Sequence, residues 1–189
     1  MSKGQKNIRS ALVILIMVVT SLLLYQHLLN KVKTTEDVPV TAVQTVLLKN
    51  LNKDYPASPR EVIKYYNELQ TCMYNDEYTD EEFADLANKA LELYDDELVE
   101  HQNPEMYPQL LKQDITTFRD DQKKMVGNYI SSATEVEYYT KKKRQCANLR
   151  STYQVRQGAA MTSTTQIFVM RKDEKGHWKI LGWDIDRGE

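Results

Sequence analysis

Glycine is scarce in this chain: there are six in 189 residues, and they are scattered. That excludes a glycine-rich phosphate loop, which needs several glycines close together so that the backbone can approach the anion. Histidine is scarcer still. His27, His101 and His177 fall in separate segments, so neither a catalytic triad nor a paired-histidine metal site is suggested. Cysteine is limited to Cys72 and Cys146, and there is no C-x-x-C, H-E-x-x-H or G-x-S-x-G pattern. These gaps leave no catalytic residue, cofactor or metal ligand to assign, and a non-catalytic protein is the expectation.

What is present begins with a single long hydrophobic run. Residues 11–24, ALVILIMVVTSLLL, carry no charge, and with Ile8 and the stretch to Leu29 the run reaches about 20 residues, enough for a helix to span a ~30 Å hydrocarbon core. Lys3, Lys6 and Arg9 precede it and Lys31 and Lys33 follow, which favours a cytoplasmic N-terminus by a small margin. The reading is an N-terminal transmembrane helix in residues 1–33, a stalk over 34–53 and a folded domain over 54–189 outside the cell membrane. A cleavable signal peptide competes with this, although Thr20 and Ser21 are followed by further leucines rather than by an Ala-x-Ala-like site. In that compartment Cys72 and Cys146 could pair. Their placement on a helix and on the far face of a strand predicts two free thiols instead.

The formal net charge of −2 hides a division. Residues 54–105 hold 15 Asp and Glu against 3 Lys and Arg, whereas residues 106–189 hold 10 against 15. The expectation is two solvated faces that attract each other, with oppositely charged docking surfaces as the alternative.

Start signals place the helices. Ser58, Pro59 and Glu61 in DYPASPREV form a capping box with proline at the first helical position, followed by Val62, Tyr66, Leu69 and Met73 at helical spacing. Thr79 to Glu82 is a second capping box, with Phe83, Leu86, Ala87, Ala90, Tyr94 and Leu98 on one face. Asn103-Pro104 opens a third helix carrying Tyr107, Leu111, Phe118 and Met125. Within the stalk, Val43 to Leu51 predicts a short helix. From Val126 the period changes to two, and four strands are expected: 127–139, 144–157, 162–171 and 177–186. The fold class is therefore α+β, three helices packed on a curved four-stranded antiparallel sheet.

The last strand, GHWKILGWDI, carries both tryptophans. Alternation puts Trp178 and Ile180 toward the helices and Lys179, Leu181 and Trp183 on the other face, with Trp183 closing a core or rimming a cleft near the strand end. Twelve tyrosines are many for this length. Tyr66, Tyr94, Phe118, Tyr153 and Trp178 are candidate walls of a ligand pocket. Asp114, near the apolar stripe of the third helix, is the candidate carboxylate for an alternative isomerase or hydrolase role. The acid clusters at 76–77, 80–82 and 95–97 fall at helix ends as caps and solubilising charge. Lys141-Lys-Lys-Arg144 reads as a solvated hairpin tip, with anionic lipid heads or an acidic polymer as the functional alternative and nucleic acid not expected.

The helices-then-sheet order resembles the NTF2-like, or cystatin-like, α+β cone. DYPASPREVIKYYNELQTCMYNDEYTDEE and RKDEKGHWKILGW, residues 54–82 and 171–183, resemble an uncharacterised family of membrane-anchored proteins from Gram-positive bacteria. The resemblance implies a bacterial, membrane-anchored, extracytoplasmic module of unassigned activity. The layout of anchor, stalk and small domain also matches scaffolds of secretion and conjugation machines by analogy. A non-catalytic binding or scaffold module with an unknown protein partner is the first expectation. A small-molecule binder using the cone cavity is the second, and an enzyme the third.

Overall fold

The computed structural model describes residues 20–26, 40–103 and 105–188. The chain divides into two compact units, Met1–Pro39 and Val40–Glu189. Of the first, residues 20–26 are helical. This corrects the expected transmembrane helix: among the described residues no helix is long and apolar enough to cross a membrane. The rest of the expected anchor, residues 1–19 and 27–33, lies outside the described residues, as do residues 34–39 of the expected stalk.

The second unit starts at Val40. Helix α1, Ala42–Leu47, is closed at its N-terminus by a capping box of Thr41 and Gln44. Val43 and Leu51 are 1% and 4% exposed, so the apolar patch read as part of a stalk is part of the core. Helix α2, Pro59–Asn75, starts where the sequence signals it, with Ser58 and Glu61 in a reciprocal cap and Pro59 in the first turn. Helix α3, Asp80–Leu93, is capped in the same way by Thr79 and Glu82.

Beyond this point there are more helices than expected. The second helical run does not continue to Leu98. Tyr94 turns extended and bridges Ile180 in parallel, and the Asp95 amide donates to the Ile180 carbonyl at 2.8 Å. Asp95 then caps a separate helix α4, Asp96–Gln102, by accepting from the Glu97 amide at 3.1 Å. Asn103 closes α4 in the left-handed region rather than opening the next helix, which is α5, Tyr107–Asp120; Pro104 lies outside the described residues.

The sheet has five strands, not four: β1 Lys123–Ile130, β2 Glu137–Lys141, β3 Arg144–Gln157, β4 Ala160–Lys172 and β5 Trp178–Ile185. All pair antiparallel. The long β3 takes β2 against its first half and β1 against its second half, with β4 and β5 beyond its other edge. The expected first strand is cut in two because Ser132 and Glu135 form a capping box around a 3-10 turn, Ala133–Glu135. Met125, expected on a helix, sits on β1.

Helix α2 supplies the middle of the core. Val62, Ile63, Leu69 and Met73 are fully buried, and they meet Ala147, Leu149, Phe168, Met170 and Ile180 from the inner face of the sheet. Among the described residues four polar side chains are buried, Asn67, Asp95, Ser131 and Ser151, and Asn67 joins α2 to the sheet. Asn67 accepts from the Tyr153 hydroxyl at 2.6 Å and donates to Ser151 Oγ at 2.9 Å and Asn128 Oδ1 at 3.3 Å. A buried amide with all its bonds made costs little, whereas one left unpaired would be expensive. Both cysteines are free and buried, and burial pushes the Cys72 thiol up to about 12.

Candidate functional site

A cavity of about 490 Å³ opens between the helices and the inner face of the sheet. One wall comes from α2, where Tyr66, Gln70 and Tyr74 stand four residues apart and so share a helix face. Tyr94 follows α3, and α5 gives Tyr107, Leu110, Leu111, Asp114 and Phe118. The floor is Met125, Tyr153, Val155, Thr164, Gln166 and Trp183 of the sheet. Seven of the lining side chains are aromatic, and Asp114 is the sole carboxylate; no Lys, Arg or His joins the lining. Leu110 is 52% exposed and Asp114 is exposed as well, which places the mouth along α5.

The rings fall into two groups, Tyr66, Tyr94, Tyr107, Phe168 and Trp183 in one and Tyr74 with Phe118 in the other. Trp183 lies 5.9 Å from Tyr94, 6.0 Å from Phe168 and 6.3 Å from Tyr66 between centroids, and Tyr74 meets Phe118 edge to face at 4.9 Å. Three hydroxyls run in a line: Tyr94 donates to Tyr66 at 3.3 Å and is 3.3 Å from Tyr107. At the mouth the Tyr74 hydroxyl donates to Asp114 Oδ2 in a short hydrogen bond. Burial pushes the Tyr66, Tyr94, Tyr107 and Tyr74 hydroxyls above their ordinary range, with the Asp114 charge adding to the effect at Tyr74. Tyr153 is pushed up to about 12, also by burial. All five are therefore neutral donors at physiological pH, not bases.

Among the sequence candidates, Tyr66, Tyr94, Asp114, Phe118 and Tyr153 line this cavity. Trp178 does not. It is 5% exposed, its carbonyl accepts from the Tyr55 hydroxyl at 3.0 Å, and it borders a separate cleft with Tyr138, Tyr139 and Lys172. Its place in the wall is taken by Trp183, which strict alternation assigned to the opposite face. The reason is a β-bulge: Val169 pairs with Gly182 and Met170 with Ile180, so Leu181 has no partner. One extra residue reverses every later side chain, and Trp183 comes to lie opposite the buried Phe168 on the inner face.

The sequence reading missed Gln70, Tyr107 and Gln166 as wall residues. The spacing 66–70–74 on α2 carries the signal for Gln70. The even register 164–166–168 on β4, shared with Phe168, carries it for Gln166. The carboxamides of Gln70 and Gln166 have no hydrogen-bond partner among the described residues, so both offer a donor and an acceptor to the cavity. The acid clusters stay where they were read, with Asp80, Glu81 and Glu82 in the first turn of α3 and Asp95 capping α4. Lys142 and Lys143 form the exposed tip of the β2–β3 hairpin.

Compared with known proteins, residues 1–183 match the family model described as a domain of unknown function, DUF6715, and the chain belongs to that family. No curated protein matches it.

Proposed function

We propose that this domain is a non-catalytic binding module that holds a small organic molecule in the cavity between its helices and its sheet. The observation that carries the reading is the cavity itself. At about 490 Å³ it falls in the range of small-molecule sites, and it combines aromatic walls with a few unpaired polar groups, Gln70 and Gln166 among them. Binding is favoured over catalysis by the state of the polar groups. The hydroxyls are neutral donors, no histidine lines the cavity, and the one carboxylate is at the mouth and accepts from Tyr74. General acid–base chemistry needs a group poised near the working pH, and the cavity tyrosines are shifted away from it.

A protein-docking role is the second reading. Tyr129 and Tyr138, 67% and 61% exposed on the side of the sheet bearing β1 and β2, are the observation that favours it.

A thermal-shift screen of the full chain against a library of small aromatic and aliphatic molecules tests the first reading. Saturation at 100 times Kd stabilises by ~2.7 kcal/mol, which raises Tm by several degrees. The shift should be lost on narrowing the cavity with Leu111→Trp. A library that produces no shift, or shifts indifferent to that substitution, would remove the reading.

A further inference from the structure

Resting on the binding reading, the geometry points to an organic ammonium ion as the ligand class, with its charged head at Asp114 and its body among the rings inside. Elsewhere in this protein aromatic rings are paired with cations. Five rings carry a lysine or arginine over their face among the described residues: Lys49 on Tyr65, Lys112 on Phe83, Arg119 on Tyr78, Lys172 on Trp178 and Lys179 on Tyr55, at 4.6–5.8 Å. None of those rings lines the cavity. The cavity is lined by seven aromatic side chains, and among the described residues no lysine or arginine lies over any of them.

The charges near the mouth point the same way. Arg119, one turn beyond Ile115 on α5, is turned away from the cavity: its guanidinium donates to the carbonyls of Met73, Tyr74 and Asp76. Lys112 is paired with Asp80 at 2.6 Å. Asp114 faces the cavity with no cation beside it; Tyr74 donates to Oδ2, and Oδ1 has no partner among the described residues. An anion entering here would meet a carboxylate among aromatic rings, with no Lys, Arg or His in the lining to offset it. A neutral ligand could at most donate a hydrogen bond to Asp114, without the attraction between opposite charges. A cation gains from both, because its charge is attracted to the ring quadrupole and to the carboxylate together. Tyr74, which donates to Asp114, and Phe118, one turn on from Asp114 and 4.9 Å from the Tyr74 ring, supply the rings for the head.

The test compares three meta-substituted phenols on the full chain by calorimetric titration: 3-hydroxyphenyltrimethylammonium, its uncharged isostere 3-tert-butylphenol, and the anion 3-hydroxybenzoate. The inference predicts that the ammonium ion binds at least about tenfold more tightly than the isostere. Asp114→Asn should weaken the ammonium ion several-fold and leave the isostere unchanged, and added salt should weaken only the ammonium ion. Because Asp114 is exposed, the variant is expected to fold, and Phe118→Leu serves as a second variant, again costing the cation more than the isostere. Equal binding of cation and isostere, or tighter binding of the benzoate, overturns the ammonium assignment while the binding reading stands. Failure of all three probes to bind removes both.

Discussion

Asp95 does more for this fold than its place in an acidic cluster suggests. It is 4% exposed, caps α4, and is held by Arg171 through both carboxylate oxygens, with Arg144 at 3.8 Å. Burial pushes its carboxyl up, but the Arg171 and Glu97 hydrogen bonds and the two guanidinium charges outweigh this and hold it below its ordinary 3.8. The sign follows from linkage. In the unfolded chain the carboxyl takes a proton more readily, so its contribution is complete above the unfolded value and is lost as pH falls from there through the lower folded value. Asp95→Asn should cost about 2–3 kcal/mol at pH 7, through a lost cap and an Arg171 left without its partner. Urea denaturation at pH 7 and at pH 3 checks this: the gap between wild type and variant should narrow at the lower pH. A gap that is constant with pH would show the carboxylate charge to be irrelevant.

Two elements have ends that the local sequence alone does not explain. Helix α2 has no basic residue in its last turn, and the deficit is met from α5: Arg119 reaches the carbonyls of Met73, Tyr74 and Asp76 at 2.9, 3.3 and 2.5 Å. A cation at a helix C-terminus is favourable, and here it also ties together the two helices that carry Tyr74 and Asp114. Arg119→Met should lower stability by about 2 kcal/mol in denaturant titration. An unchanged midpoint would show those three bonds to be idle. The β2–β3 hairpin turns through Lys142 and Lys143 at φ of 50° and 65°, the left-handed region that favours glycine and asparagine. Replacing the pair with Asn-Gly should raise stability by about 1 kcal/mol in the same assay.

These elements also show what sequence can carry. The capping boxes at Ser58 and Thr79 were legible because the signal lies within four residues. The same signal at Ser132 and Glu135 was overridden by the surrounding period-two pattern, so one strand was read where there are two. The break at Tyr94 was not legible, because its cause is a bridge to Ile180, distant in sequence. Four of the five candidate walls line the cavity, with Asp114 beside them, because aromatic type and the helix or strand period point inward together. Trp178 and Trp183 exchanged places because one unpaired residue, Leu181, reverses parity without any mark in composition.

At the scale of the whole molecule, the acidic and basic halves of the second unit attract each other. Lys112 binds Asp80, and Arg171 binds Asp95 and Glu97, so ion pairs cross from the acidic stretch of 54–105 to the basic stretch that follows it. This draws α3 and α4 toward α5 and β4 while the core fills the space around α2. The core stops short of the volume under α5, and there the cavity opens. Its mouth carries the one carboxylate of the lining, and the rest of the lining carries neutral hydroxyls and the carboxamides of Gln70, Gln102 and Gln166.

Crystals of the protein soaked with a fragment library test that account most directly, because they report where small molecules sit without presupposing which one is native. The prediction is density inside the cavity, in contact with Trp183 and Tyr66, for a set of fragments enriched in ammonium groups at Asp114. Fragments found only on the outer face of the sheet or in the Trp178 cleft, with the cavity unvisited, would contradict it.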